Sequence, residues 1–121
     1  MTNEEKELLL IDLGARLHYK VKIKTSKGDG VLWSIDYIPD GAYLGISING
    51  AVQDYFEFQD TKPYLRPMSS MTEEEWSEWH DARHGTCGED VDFLLSHHFD
   101  YRGLIPMGLA LEAKEGMYKT E

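Results

Sequence analysis

The chain has 121 residues, of which 41% are hydrophobic and 28% charged, and these proportions predict one soluble globular domain over residues 1–121. Its formal net charge of −10 disfavours attraction of the whole molecule to nucleic acid, because phosphates carry the same sign. A single cysteine excludes an internal disulfide and predicts a reducing cytoplasm, while the acidic start and short apolar runs exclude a signal peptide and a membrane span.

An N-terminal helix is predicted over residues 3–17, within the segment 1–17, because Thr2 and Glu5 have the spacing of a capping box. Its apolar residues form two stripes at helical spacing, one with Leu9, Leu10, Leu13 and Leu17 and the other with Leu8, Ile11 and Ala15. A helix that is apolar on two sides is either sandwiched within the fold, which we favour, or shared with a partner. Asp12 and Arg16 fall on a polar strip between the stripes, where their spacing predicts a weak ion pair.

Alternating residues from position 19 onward predict an antiparallel meander of four short strands joined by tight turns, the clearest of them at Asn49-Gly50. The strands are predicted over residues 19–25, 31–38, 43–48 and 52–58. If it is strongly bent, such a meander forms an SH3-like half-barrel, to which the segment around Pro63 adds a fifth strand. The meander and the segment around Pro63 together span residues 19–66.

The same alternation predicts which side chains of these strands share a face. A row of lysines, Lys20, Lys22 and Lys24, lies on the wet face of the first strand, where it protects an exposed strand from pairing or, alternatively, contacts phosphate. In the second strand one face is predicted to hold Val31, Trp33, Ile35 and Tyr37. The third strand is predicted to point Leu44, Ile46 and Ile48 inward.

The segment after the meander is predicted to be an extended strap packed on the core, because Pro63 and Pro67 fit neither a helix nor a central strand. The strap leads into a second helix, over residues 72–83, which starts with a capping box of Thr72 and Glu75. Two tryptophans on one face of this helix are expected to be core residues.

The remaining residues, within 72–113, are predicted to complete a helical part and an irregular tail. A third helix is expected over residues 87–98, opened by a capping box of Thr86 and Glu89. Its buried face comprises Val91, Leu94, Leu95 and His98. The apolar tail over residues 99–113 is predicted to pack irregularly against the rest of the chain or to cover a second protomer, and the chain beyond Ala113 is predicted to fray. The predicted fold class is therefore α+β.

Two runs resemble a known group of proteins. KPYLRPMSSMTEEE at residues 62–75 and FDYRGLI at residues 99–105 are similar to stretches in small uncharacterised proteins encoded by phages and mobile elements of Bacteroides-type gut bacteria. The opening residues 1–10 resemble the start of that family as well. The resemblance implies a phage or mobile-element accessory protein, and it implies no activity and no functional residues. From the residues themselves, Asp100 and Arg102 are expected to tie down backbone in a turn.

Candidate chemistry is confined to histidines and one cysteine. His80 and His84 stand four apart on one helix, a spacing that suits zinc, and Cys87 and His98 are the further candidate ligands. The spacing matches no common zinc motif, so surface histidines at a helix end are the favoured interpretation. Cys87 with His84 is a second candidate, as a nucleophile and its base, although no third residue orients the pair.

The sequence therefore favours a non-enzymatic cytoplasmic protein that acts by protein–protein interaction or self-association and needs no cofactor. The candidate partner-binding residues are Leu8, Ile11, Trp76 and Trp79. One alternative is a nucleic-acid-binding small barrel that uses the face carrying Lys20, Lys22 and Lys24, together with Lys27. The other alternative is a zinc or cysteine enzyme centred on His80, His84 and Cys87.

Overall fold

The computed structural model describes residues 2–39, 41–48, 54–84, 88–114 and 116–118. Its helices are α1 (Asn3–Arg16), α2 (Glu73–Arg83) and α3 (Glu89–Ser96). Its strands are β1 (Lys22–Thr25), β2 (Gly28–Ile38), β3 (Gly41–Ile48), β4 (Asp54–Glu57), β5 (Lys62–Leu65) and β6 (Leu111–Glu112). This order confirms the predicted α+β fold, with a helix, a mainly antiparallel sheet and two further helices. None of the described helices has the length and apolar character needed to cross a bilayer.

The six strands form one sheet in the order β4-β3-β2-β1-β5-β6. All neighbours are antiparallel except β5 and β6, which are parallel. The strap supplies a fifth strand as expected, and it pairs with β1 through Ile23 and Pro63. Over the described residues the sheet is open, with β4 and β6 at its edges and six strands where four or five were predicted, and the SH3-like half-barrel is not confirmed. The predicted Asn49-Gly50 turn lies outside the described residues.

One face of the sheet, which we call the core face, carries the buried side chains. Leu9 and Leu13 of α1 pack there with residues of β1, β2, β3 and β5, and the tail adds Leu104, Leu109 and Ala110. Both predicted capping boxes are present, at Thr2 with Glu5 and at Thr72 with Glu75. The first apolar stripe of α1 is therefore core, as a sandwiched helix requires, whereas Ile11 of the second stripe is half exposed.

A bulge in β2 changes the predicted faces of that strand. Leu32 pairs with Ile46 and Ser34 with Gly45, so the register shifts between them and Trp33 is the extra residue. Beyond the bulge Ile35 pairs with buried Leu44 on the core face. Val31, Trp33, Ile35 and Tyr37 therefore do not share one face, and that prediction is wrong. We call the opposite side of β1 to β4, which carries Lys22, Trp33 and Tyr43, the open face.

Asp12 and Arg16 correct the prediction of a weak pair on a polar strip. Both side chains are 0% exposed, and Arg16 Nε donates to Asp12 Oδ2 at 2.7 Å. Arg16 Nη2 also donates to Asp12 Oδ1 at 3.2 Å and to the carbonyl oxygen of Phe99 at 2.6 Å. Arg102 Nε reaches the same Asp12 Oδ1 at 3.1 Å. The strip is buried because the segment after α3 crosses over it.

The segment Phe99–Ile105 is held by its own polar residues. Asp100 accepts hydrogen bonds from the backbone N–H groups of Leu104, at 2.8 Å, and Ile105, at 2.9 Å. This confirms that Asp100 ties down backbone. Arg102 instead binds a carboxylate of α1, so it joins two elements that are distant in sequence.

Helix α3 begins and ends differently from the prediction. Its N-cap is Gly88, without a side-chain hydrogen bond, and the predicted cap Thr86 lies outside the described residues. Leu94 and Leu95 are buried as expected, but Val91 is exposed. The helix is followed by His98, which has a left-handed backbone conformation with φ 63°. The N–H of His98 donates to the carbonyl oxygen of Leu95, and the N–H of Phe99 donates to the carbonyl oxygen of Leu94. This turn directs Phe99 into the interior.

The tail adds two contacts that the sequence did not predict. Its short strand β6 extends the sheet beside β5, and Tyr118, which lies beyond the expected fraying point, packs against the hydrophobic core. The Tyr118 hydroxyl donates to the carbonyl oxygen of Tyr64 at 2.7 Å and accepts from the N–H of Lys22 at 2.7 Å. The prediction of a frayed chain beyond Ala113 is therefore wrong for Tyr118.

Replacing Tyr118 by Phe tests these hydrogen bonds. The Tyr118→Phe variant leaves the Lys22 N–H and the Tyr64 carbonyl without that partner, so we expect its free energy of unfolding to fall by about 1–3 kcal/mol. Urea unfolding measures the change. Tyr55→Phe removes the same atom from an exposed ring and is the matched control, with an expected change within about 0.5 kcal/mol. Equal midpoints for the two variants contradict the described anchoring of the tail.

Candidate functional site

The structure separates the predicted metal ligands. His80 and His84 are neighbours on α2, with ring centroids 4.9 Å apart in an edge-on arrangement. The His98 ring instead stacks on the Tyr118 ring, with the two centroids 3.7 Å apart. The burial of His98 lowers the pKa of its imidazole to about 4. Cys87 lies outside the described residues. Among the residues that are described, no group of three or more histidine, cysteine, aspartate or glutamate side chains is placed to hold a metal ion.

Helix α2 carries an exposed aromatic column that consists of Trp76, His80 and His84. The Trp76 and His80 rings stack at 5.0 Å with an interplanar angle of 9°. Trp76 is 53% exposed, and none of the eleven residues of α2 is buried. Trp79 is half-buried beside the column, with the Arg83 guanidinium 5.1 Å from its ring centre. The expectation that both tryptophans are core residues is therefore wrong for Trp76.

An ion pair holds the first turn of α2 against the strap. Arg66 Nη1 and Nη2 each donate to Glu75 at 2.7 Å, a bidentate geometry, and the guanidinium lies 4.2 Å from the centre of the Phe99 ring. The hydrogen bonds from Arg66 are the main reason that the pKa of Glu75 falls to about 2. A cleft of about 540 Å³ opens beside this pair, and Glu112 and Lys114 also line it. The orientation of α2 is thus fixed at its N-terminal end.

The candidate residues on α1 have different environments. Leu8 is half-buried and packs against the core, whereas Ile11 is half exposed. A charged residue at position 8 therefore disturbs the core, so the two positions do not form one free docking stripe. Only Ile11 of this pair remains a candidate contact residue.

The open face is a second candidate surface, and the sequence analysis identified only its lysines. Trp33 is 47% exposed and Tyr55 61% exposed, and Tyr43 lies on the same face. Lys20 places its Nζ 4.9 Å from the centre of the Trp33 ring. A cleft of about 500 Å³ lies here, lined by Lys20, Lys22, Asp29, Gly30, Val31, Trp33, Ser47 and Met117. The prediction grouped Trp33 with Ile35 by alternation, whereas the bulge returns Ile35 to the core face and leaves Trp33 on the open face.

Comparison of the chain with protein-family models, with curated proteins and with solved structures finds no match. The two surfaces are therefore interpreted from their own geometry and charge.

The pH dependence of stability tests the anchoring of α2. The pKa of Glu75 is about 2 in the folded state, against an ordinary value of 4.5, so its pair with Arg66 stabilises the fold fully above pH 4.5. That stabilisation is lost as the pH falls from 4.5 toward 2. We expect Glu75→Gln to lower the free energy of unfolding at neutral pH by about 1–2 kcal/mol. The difference from the wild type should shrink between pH 4.5 and pH about 2.

Glu74→Gln is the matched control, because Glu74 lies in the same helical turn and forms no ion pair within the described structure. Urea unfolding of the three proteins at several pH values gives the comparison. A loss of stability in Glu75→Gln that is the same at every pH argues against the ionised pair.

Proposed function

We propose that this chain is a non-enzymatic cytoplasmic accessory protein of a phage or mobile element, and that it acts by binding another protein through α2. The observation that supports this most directly is the exposure of Trp76 on a helix with no buried residue. Helix α2 packs on α3 by partly buried side chains only. Its aromatic column adds little to the core, so a role in recognition accounts for it better than a role in folding.

Tryptophan is the residue type that most often dominates protein interfaces, since one side chain buries about 150–250 Å². In this chain the Trp76 ring is held in one orientation by stacking on the His80 ring, and the Arg66–Glu75 pair fixes the start of α2. A side chain that is ordered before binding loses less conformational entropy when a partner covers it. Trp76 is thus the expected anchor of the interface.

The charges around the column indicate the chemistry of the partner. Exposed carboxylates surround Trp76 on α2, namely Glu73, Glu74, Glu78 and Asp81. Glu75, the remaining acidic residue, is engaged by Arg66. An apolar pocket rimmed by lysine or arginine complements this surface, because opposite charges at the rim of an interface raise the association rate and the specificity. We therefore expect a partner with a basic rim.

Trp76→Ala tests this interface. Three baits are incubated separately with nuclease-treated host-cell lysate, namely the wild type, Trp76→Ala and Trp33→Ala. The bound proteins are identified by mass spectrometry. We expect one stoichiometric partner that wild type and Trp33→Ala retain and Trp76→Ala loses. With the purified partner, the loss of a hot-spot side chain is expected to cost about 2 kcal/mol or more, roughly 30-fold in Kd.

Trp33→Ala is a matched control, because it removes a similarly exposed tryptophan from the other candidate surface. A partner that binds Trp76→Ala as tightly as wild type contradicts the proposed interface. Recovery of the chain alone, as a second copy whose binding depends on Trp76, assigns the surface to self-association instead.

A further inference from the structure

The open face contains a trough between aromatic side chains. On β3, Gly45 is paired with Tyr55 of β4 on one side and with Ser34, beside the bulged Trp33, on the other. Since glycine has no side chain, Trp33 and Tyr55 flank Gly45 from the two neighbouring strands, about 10 Å apart as set by two strand spacings, and Gly45 itself is buried between them. Tyr43, two residues away on the same face of β3, adds a third exposed aromatic ring.

The cleft next to the trough has an apolar part and a charged part. Val31 and the tail residue Met117 line it, and Trp33 forms the wall shared with the trough. Lys20 and Lys22 also line it, with Lys20 over the Trp33 ring and Lys22 Nζ donating to the carbonyl oxygen of Met117 at 2.6 Å. The one carboxylate of the lining, Asp29, is paired with Lys114. A ligand that fits both parts is planar and apolar at one end and anionic at the other.

Positive charge is concentrated at the β1 side of this face, although the chain as a whole carries −10. Six of the twelve basic residues lie on or beside β1 and its neighbours, namely Lys20, Lys22, Lys24, Lys27, Lys62 and Lys114. Lys27 and Lys114 pair with Asp54 and Asp29, but Lys20, Lys24 and Lys62 form no ion pair within the described residues.

Two of these lysines, Lys24 and Lys62, lie directly opposite each other on β1 and β5. Like charges in that position destabilise a sheet, so stability does not explain the pair. An anionic ligand removes the repulsion. On the other side of the face, exposed Asp36 and Glu57 pair with Tyr43 and repel phosphate. The face is therefore polarised, with cations along β1 and aromatic rings toward β4.

We propose that the open face binds a short single strand of nucleic acid. The bases stack on Trp33, Tyr55 and Tyr43, and the phosphates follow the lysines of β1. Aromatic platforms beside a cationic groove are the usual means of binding single strands. A duplex has no unstacked bases to insert into the trough, and its second strand faces the acidic remainder of the chain. This site is separate from the α2 surface and does not depend on the function proposed for it.

Fluorescence anisotropy with a labelled oligothymidylate of about 12 nucleotides tests the proposal, since single-strand sites typically span about 4–16 nucleotides. We expect wild-type protein to bind at low salt and to weaken as salt rises. Trp33→Ala is expected to bind about ten-fold more weakly with the same salt dependence. The double variant Lys20→Gln/Lys24→Gln is expected to bind more weakly and to show a smaller salt dependence.

Two matched controls separate this site from general effects. Trp76→Ala removes an exposed tryptophan elsewhere, and Lys6→Gln removes a lysine from α1. Both are expected to bind as the wild type does. Should Trp33→Ala fail to fold by circular dichroism, Tyr55→Ala removes the opposite wall of the trough and is expected to give the same loss. No binding at low salt, equal affinity for duplex, or wild-type affinity in Trp33→Ala overturns the proposal. Displacement of the oligonucleotide by polyglutamate at equal charge concentration also overturns it and indicates an acidic peptide instead.

Discussion

The arrangement of this fold depends on one buried ion pair, between Asp12 and Arg16 of α1. A charged side chain that is buried away from water is tolerated only when it is paired and hydrogen-bonded. Here the Asp12 carboxylate and the Arg16 guanidinium pair with each other within one helix. Two further hydrogen bonds of the pair are directed outward, from Arg16 to the Phe99 carbonyl oxygen and from Arg102 to Asp12, while Arg16 Nη1 is buried without a hydrogen-bond partner among the described residues. The chain after α3 must therefore cross α1 at this point, which places Phe99 and Leu104 in the core.

That crossing determines where the two candidate surfaces lie. The Phe99 ring lies against the Arg66 guanidinium, and Arg66 fixes the start of α2 through Glu75. The segment that covers the Asp12–Arg16 pair therefore also supports the helix that carries the aromatic column. The tail then continues to β6 beside β5, and Tyr118 hydrogen-bonds to backbone groups of both β5 and β1. One surface is acidic with a tryptophan anchor, and the other is polarised between lysines and aromatic rings. This separation suits two ligands of opposite charge.

Local chemistry explains which features the sequence predicted. The capping boxes at Thr2 and Thr72, the alternation in β1 and β3, and the strap all depend on residues within a few positions of each other. The buried state of Asp12 depends on groups 83 to 90 residues away from its helix, so helical spacing alone predicts an exposed pair. The bulge at Trp33 has no glycine or proline to mark it, and His98 occupies a left-handed position where glycine is usual. The sequence named Trp76 and the lysine face as candidates, but it did not predict that Trp76 and Trp33 are exposed, because exposure is decided by packing.

A double-mutant cycle on Asp12 and Arg16 tests the central claim most directly. The free energy of unfolding of the wild type, Asp12→Asn, Arg16→Gln and the double variant is measured by urea denaturation. Each single variant leaves a buried charge without its partner, so each is expected to lose about 3–5 kcal/mol. The coupling energy is expected to be at least about 2 kcal/mol. A coupling energy within about 0.5 kcal/mol, the value of an exposed pair on a helix, contradicts the account.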